Sequence, residues 1–292
     1  MNFPFQIEPF AYSEFDAEFD GEEWHETLSA NSSTRSIPRL MKSETQPPAS
    51  TLYVEIDLKI VHRDGTRGTA PMTGIFIPEN YKLTPTVDLI LYLHGHKGAN
   101  FSIDKYWRAR QRDFYFPLRE ELKDSHKNVI LVAPTLGPKS EAGLLTNLTE
   151  FNQYLDRVMT ALKEHGPYKA QAQSPGVGKI ILACHSGGGS PMRKLAKLKG
   201  SGGYADNVIE CWGFDCLYNT GDDVAWANWA KAYPQVKLFI YYLSTTKRNS
   251  EKLKRKHLPN VFVERSSAGG HYWVPKAHWK QRLQQSGFLL NR

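Results

Sequence analysis

The sequence predicts an α/β fold with a mostly parallel central sheet, because short apolar segments alternate with segments of helical composition along most of its 292 residues. The apolar segments at 88–93, 129–133 and 179–183 indicate strands that are buried on both faces. A hydrophobic fraction of 40% is consistent with the large core that such a fold requires.

The first 50 residues differ in composition from the rest. They contain nine acidic and three basic residues, a net charge of −6, whereas the whole chain carries +7, so residues 51–292 carry the difference of +13. Aromatic residues are interleaved with the acidic ones, without sustained periodicity. We expect residues 1–50 to be a disordered acidic segment, able to dock on its own domain or on a partner, and residues 51–292 to be the folded domain.

The sequence argues against several classes of protein. No apolar run approaches the roughly 20 residues that span a bilayer, and the N-terminus does not resemble a secretory signal. Cysteines 184, 211 and 216 show neither metal-ligand spacing nor a disulfide framework. We therefore expect a cytoplasmic protein without a membrane span, with signal-independent export left open. Phosphate-loop, dinucleotide, zinc and nucleic-acid motifs are absent, so we expect no cofactor, no metal and no nucleic-acid partner.

The elements follow one another in a regular order from residue 51. Alternating residues predict a half-buried strand over 52–60, a turn at Asp64 and Gly65, and a second strand over 69–78, which form a hairpin. Buried strands follow at 88–93, 129–133, 179–183, 208–214, 236–243 and 261–264, giving about eight strands. Helices that cover both faces are predicted near 107–123, 147–165, 192–199, 222–232, 249–258 and 275–285.

A sharp turn lies between the strand at 179–183 and the helix at 192–199. It reads Cys184-His185-Ser186-Gly187-Gly188, close to the pattern G-x-S-x-G with cysteine in place of the first glycine. Small residues are needed around a serine on such a turn, and the pattern is typical of a nucleophile. A glycine-rich turn after a strand also binds phosphate, so the motif alone leaves both uses open.

The order of these elements resembles the α/β-hydrolase superfamily over about residues 51–292. Two antiparallel strands precede strand–helix repeats, a serine turn follows the fifth strand, and a histidine follows the last. The resemblance implies the chain order serine, acid, histidine, with Ser186 as nucleophile and His271 as its base. His271 lies in a glycine-containing loop directly after the last strand.

More than one carboxylate is a candidate for the acid that follows the serine in this order. Many members of the superfamily place it after the seventh strand, but residues 244–249 contain no carboxylate. Asp215, at the end of the sixth strand, is the expected acid, and Asp222 and Asp223 are the alternatives, although they suit a helix N-terminus. The resemblance also implies an oxyanion hole built from the backbone N–H groups of Gly187 and His96.

The resemblance implies an open site, since residues 218–221 leave no room for a cap domain. We expect the rim to come from residues 97–116 and 134–146, and Tyr272, Trp273 and Trp107 to contact the substrate. Aromatic and basic residues in this rim suit an anionic or polymer-linked acyl group, but an amphipathic helix with a solvated basic face explains them equally well.

The predicted function is hydrolysis of a carboxylic ester, thioester or amide through an acyl-enzyme on Ser186. Two alternatives stay open. One is a serine peptidase of the prolyl-oligopeptidase type, and the other is a non-catalytic binding or effector protein with a hydrolase fold.

Overall fold

The computed structural model describes residues 37–46, 49–60, 71–97, 101–108 and 117–288. Within these ranges the strands are β1 Leu40–Gln46, β2 Ala49–Glu55, β3 Met72–Ile77, β4 Thr86–Leu93, β5 Ile130–Pro134, β6 Gly176–His185, β7 Val208–Phe214, β8 Lys237–Tyr242 and β9 Val261–Arg265. The α-helices are α1 Ile103–Arg108, α2 Leu118–Asp124, α3 Leu148–His165, α4 Gly189–Lys197, α5 Asp222–Ala232, α6 Lys247–Lys254 and α7 Val274–Gln285.

The strands form one sheet in the order β1-β2-β3-β5-β4-β6-β7-β8-β9. β1, β2, β3 and β5 pair antiparallel in turn, whereas β5, β4, β6, β7, β8 and β9 are parallel. The carboxyl ends of the parallel strands therefore meet at one edge of the sheet, where binding sites of α/β proteins lie.

The buried strands contribute to two cores, one on each face of the sheet. Along β4, Leu89, Leu91 and Leu93 pack into one core, and Ile90 and Tyr92 pack into the other, because successive side chains of a strand point to opposite faces. The first core is covered by α3, α4, α5 and α6, and the second by α1, α2 and α7. The predicted α/β architecture with helices on both faces is thereby confirmed, with nine strands among the described residues where about eight were expected.

The predicted domain boundary at residue 50 is wrong for the residues just before it. β1, Leu40–Gln46, pairs antiparallel with β2 at the edge of the sheet, and the compact unit begins at Ile37. Residues 42–46 of β1 are all polar, so the strand has little of the apolar pattern by which the other strands are recognised. The rest of the predicted disordered segment, residues 1–36, lies outside the described residues.

The predicted N-terminal hairpin pairing is confirmed, since β2 and β3 are antiparallel neighbours. β2 ends at Glu55, earlier than the predicted residue 60, and the predicted turn at Asp64 and Gly65 lies outside the described residues. The helix predicted over 107–123 corresponds to α1 and α2, with residues 109–116 between them outside the described part. In the described part of the chain, none of the helices combines the length and apolar composition that crossing a bilayer requires.

Candidate active site

Ser186 lies on a strained turn between β6 and α4. Its φ is +54°, in the left-handed region that a residue with a side chain rarely adopts. A short 3-10 turn over 186–188 leads directly into α4. The turn packs closely against the end of β4, because a Cβ atom on Gly95 would lie 2.6 Å from the Cβ of Ser186. Glycine at position 95 is therefore required by this close approach.

Asp215 follows β7 and is completely buried. Its backbone N–H donates to the carbonyl of Tyr241 at 2.7 Å. One carboxylate oxygen accepts from the N–H of Leu243, at 2.9 Å, and from the hydroxyl of Thr246. The other oxygen accepts from Nδ1–H of His271 at 2.6 Å.

The charge of Asp215 is stabilised by these donors. Burial by itself would raise the pKa of the carboxyl group, but hydrogen bonds from His271, Thr246 and Leu243 outweigh burial, and the pKa lies below its usual value. Asp215 is therefore an ionised, rigidly held partner for the imidazole of His271. A histidine that donates from Nδ1 to a carboxylate presents Nε2 as its free proton acceptor.

The sequence alternatives to Asp215 have other contacts. The carboxylate of Asp222 pairs with Arg193 at 3.1 Å and accepts from the N–H of Asn219 at 2.9 Å. Asp223 is buried in the first turn of α5. Of the three candidate carboxylates, Asp215 is the one that the structure joins to His271.

Two side chains link the surroundings of Ser186 to His271. The ring of His185 stacks on that of His271, with centroids 4.4 Å apart. The hydroxyl of Tyr218 lies 3.4 Å from Nδ1 of His271 and within hydrogen-bonding reach of Ser186. Burial, together with the nearby charge of Asp215, raises the pKa of Tyr218, so its hydroxyl keeps its proton.

The predicted oxyanion turn is held by His94, which is completely buried. Nδ1–H of His94 donates to the carbonyl of Gly95 at 2.7 Å, and Nε2 accepts from the N–H of Leu136 at 2.9 Å. Both bonds require the neutral ring, and burial lowers the pKa of His94 to about 4. The same turn brings His96 against Gly187. A Cβ atom added at Gly187 would overlap the imidazole of His96.

The three aromatic residues predicted to contact substrate occupy different environments. Tyr272 is exposed, with its ring edge-on to His271 at 5.3 Å, and Trp273 is half-buried. Trp107 is 2% exposed, and its ring packs over Gly74 of β3 and beside Tyr53. The substrate-contacting role predicted for Trp107 is wrong, because α1 turns this ring into the core.

Three residues of this region were not individually singled out from the sequence. His185 lies inside the serine motif but is a variable position of the pattern, and Tyr218 follows Asp215 in a loop without a motif. Lys97 follows the oxyanion turn and was one basic residue among several in the predicted rim. Much of that rim, residues 98–100 and 109–116, lies outside the described residues. Spacing along the chain does not reveal contacts between side chains on different loops.

Potential metal ligands in the described part of the chain are not grouped around this site. Among the described residues, no three histidine, cysteine, aspartate or glutamate side chains lie close enough together to hold a metal ion. Cys184, Cys211 and Cys216 are buried free thiols. Burial raises the pKa of Cys211, so this thiol is not a candidate nucleophile.

Comparison with known proteins identifies similar folds only. No protein-family model and no curated protein sequence matches the chain. An S-formylglutathione hydrolase from Agrobacterium tumefaciens superposes with a TM-score of 0.51 at 9% identity, over 84% of this chain and 97% of that one. A ligand-bound form of the rice cell wall degrading esterase LipA from Xanthomonas oryzae gives 0.44 at 10% identity, over 85% and 94%. At these identities the likeness concerns the course of the backbone.

Proposed function

Since the chain has the α/β-hydrolase fold, we propose that it is a serine hydrolase that cleaves carboxylic esters through an acyl-enzyme formed on Ser186. The observation that carries the proposal is the hydrogen bond of 2.6 Å between His271 and the buried carboxylate of Asp215. A buried, ionised aspartate that holds one tautomer of a histidine is the partner that a serine nucleophile requires.

In the proposed reaction, the hydroxyl oxygen of Ser186 attacks the acyl carbon while Nε2 of His271 accepts the proton. Asp215 stabilises the resulting imidazolium. The N–H groups of Gly187 and His96 stabilise the negative oxygen of the tetrahedral intermediate. The intermediate collapses as His271 returns the proton to the departing alcohol. Water then attacks the acyl-enzyme with the same proton transfers, which releases the acid and restores Ser186.

The strained backbone of Ser186 supports the proposed nucleophilic role. A non-glycine residue with φ of +54° persists only where its surroundings hold it, and such strain is concentrated at functional sites. The conformation turns the serine away from the regular path of β6 at the carboxyl edge of the sheet. There the side chain of Ser186 lies within hydrogen-bonding reach of the Tyr218 hydroxyl.

Labelling with a fluorophosphonate, which reacts with activated serines, tests the proposal together with hydrolysis of p-nitrophenyl butyrate. We expect the wild type to be labelled and to hydrolyse the ester, and Ser186→Ala to do neither. His271→Ala should lose most of both signals. Ser201→Ala, which removes an exposed serine, is the matched control and should behave as the wild type.

Two outcomes would contradict the proposal. Labelling that survives in folded Ser186→Ala would assign the nucleophile to another residue. A folded wild type that is neither labelled nor active on esters would favour a binding protein with this fold. Faster cleavage of peptide p-nitroanilides than of esters would instead identify a peptidase that uses the same residues.

A further inference from the structure

The hydroxyl group of Tyr218 lies beside both the proposed nucleophile and the proposed base. Its oxygen is 3.4 Å from Nδ1 of His271 and within hydrogen-bonding reach of Ser186. The rings of Tyr218 and His271 meet edge-on, with centroids 6.2 Å apart and planes at 80°. Burial, together with the charge of Asp215, raises the pKa of Tyr218, so the hydroxyl keeps its proton and can donate a hydrogen bond.

The backbone on both sides of Tyr218 is fixed, although 46% of the residue is exposed. The side-chain amide of Asn249 donates to the carbonyl of Leu217 at 2.9 Å and to that of Asn219 at 3.0 Å. The N–H of Asn219 donates to the carboxylate of Asp222 at 2.9 Å, and Leu217 is buried. These contacts do not involve the side chain of Tyr218. The loop therefore holds Tyr218 in place, and its hydroxyl is not needed to hold the loop.

The neighbouring groups differ in their ability to accept a hydrogen bond from Tyr218. Nδ1–H of His271 donates to Asp215 at 2.6 Å, so this nitrogen has no lone pair left to accept. The exposed hydroxyl of Thr245 is also within reach, and it can itself donate to the tyrosine oxygen. Oγ of Ser186 has lone pairs, and negative charge develops on it during the proposed reaction. A hydrogen bond to a charged oxygen is roughly twice as strong as one between neutral groups, which favours Oγ as the acceptor.

Such a hydrogen bond affects the two steps of the proposed reaction differently. Before acylation Oγ belongs to a hydroxyl, which already accepts well, so the bond gains little strength as Oγ attacks. In the acyl-enzyme Oγ is an ester oxygen, a weak acceptor because its lone pair is delocalised into the carbonyl. It gains charge when the bond to the acyl carbon breaks and the electron pair stays on Oγ. Only interactions that strengthen toward the transition state raise the rate, so this bond accelerates deacylation.

We propose that the Tyr218 hydroxyl donates a hydrogen bond to Oγ of Ser186 and stabilises the charge on this oxygen as it leaves the acyl group. Nε2–H of His271 supplies the proton that Oγ finally takes, and Tyr218 keeps its own proton throughout. Tyr218 is then a catalytic residue of the second half-reaction. This inference rests on the proposed ester hydrolysis and adds a residue that acts in one of its two steps.

The test measures the two half-reactions separately, with enzyme in excess over p-nitrophenyl butyrate. Release of nitrophenolate gives the rate of acylation. Mass spectrometry of acid-quenched samples follows the butyryl-enzyme and gives the rate of deacylation. Tyr218→Phe removes only the hydroxyl group, and Tyr81→Phe is the matched control. The Tyr81 hydroxyl contacts that of Tyr168 at 3.3 Å, in the segment before β4 and away from the carboxyl edge that carries the site.

We expect Tyr218→Phe to lower the rate constant of deacylation by about 10- to 100-fold, the effect of losing one hydrogen bond to a charged group, and to leave acylation within a few-fold. Butyryl-enzyme should therefore accumulate in this variant. In the steady state kcat and KM should fall together, so that kcat/KM changes little. The kcat values for p-nitrophenyl butyrate and phenyl butyrate should become equal, because both esters form the same butyryl-enzyme. Tyr81→Phe should behave as the wild type.

Equal losses in the two half-reactions would overturn the inference, because a tyrosine that only positions His271 affects the proton transfers of both. A loss in acylation alone, or no loss in either step, would overturn it as well. In all these cases ester hydrolysis that disappears in Ser186→Ala would leave the proposed function intact. A folded wild type that hydrolyses neither ester would instead contradict the proposed function, and the inference with it.

Discussion

The imidazole rings of His185 and His271 are stacked, with centroids 4.4 Å apart and planes inclined by 31°. Nε2–H of His185 also donates to the backbone carbonyl of His271 at 3.1 Å. The residue before the proposed nucleophile thus holds both the ring and the backbone of the proposed base. Burial, together with the charges of His271 and Lys97, keeps the pKa of His185 well below its usual value, so the ring is neutral.

We expect substitutions of His185 to lower kcat with little change in KM, because they misplace His271 and not the substrate. His185→Phe keeps a ring for stacking and loses the hydrogen bond, and a bond of this kind is worth about 1 kcal/mol, so kcat should fall about five-fold. His185→Ala loses both contacts, and a misplaced base lowers the rate by about 10²-fold. Steady-state kinetics on p-nitrophenyl butyrate measure both parameters. An unchanged kcat in His185→Ala would show that the stacking has no part in positioning.

The roles of Asp215 and Asp222 are separated by matched aspartate-to-asparagine substitutions. Asp215→Asn removes the acceptor that holds His271, and loss of such an acceptor lowers kcat by about 10⁴-fold. Asp222→Asn instead weakens the charged hydrogen bond with the partly buried Arg193, so it should lower the free energy of unfolding by roughly 2 kcal/mol and leave kcat within a few-fold. Kinetics and urea unfolding of both variants check these results. The reverse pattern would move the acid to Asp222.

Gly95 and Ser186 are in close contact, so a single methyl group added at position 95 should lower the activity strongly. Gly95→Ala would place a Cβ atom 2.6 Å from that of Ser186, closer than carbon atoms approach without displacement. We expect it to lower kcat/KM by at least about 10²-fold, since a displacement of about 1 Å has that effect. Gly269→Ala adds the same methyl group in open space near His271 and is the matched control. Equal activity of the two variants would mean that the turn at Gly95 adjusts freely.

The architecture could be predicted from the sequence because strands buried on both faces leave continuous apolar segments, as in β4 and β6. β1 was missed since an edge strand pairs on one side through backbone groups, and pairing of that kind leaves no hydrophobic pattern in Leu40–Gln46. Trp107 was misassigned for a related reason. The sequence of a short helix does not show whether an aromatic ring faces the substrate or fills the space above a glycine such as Gly74.

The site was predicted from chain order, and the structure adds the contacts that order cannot supply. Asp215 and His271 are 56 residues apart, and their hydrogen bond depends on how the ends of β7 and β9 meet at one edge of the sheet. The catalytic roles of Ser186, Asp215 and His271, and of Gly187 and His96 in the oxyanion hole, stay predictions. The contacts of His185, Tyr218 and Lys97 join different loops. Spacing along the sequence does not predict such contacts.

A lower pH should reduce the stability of the folded protein, partly because His94 is buried as a neutral ring. The folded pKa of about 4 lies below the ordinary value of 6.5, so below pH 6.5 the unfolded chain binds a proton that the folded chain does not. The stability contributed by neutral His94 is therefore complete above pH 6.5 and is lost as the pH falls toward 4. Since one pKa unit corresponds to 1.36 kcal/mol, the loss over this window is roughly 3 kcal/mol.

The contribution of His94 can be isolated by comparison with His94→Gln, because other titrating groups act in both proteins. At pH 7 the variant should be less stable, since glutamine does not reproduce both bonds, to Gly95 and from Leu136. Between pH 6.5 and 4.5 the wild type should lose more stability than the variant, so that the two unfolding free energies converge. Urea unfolding at several pH values within this window gives the difference directly. A difference that stays constant with pH would show that His94 titrates alike in the folded and unfolded chains, contrary to its burial and its two hydrogen bonds.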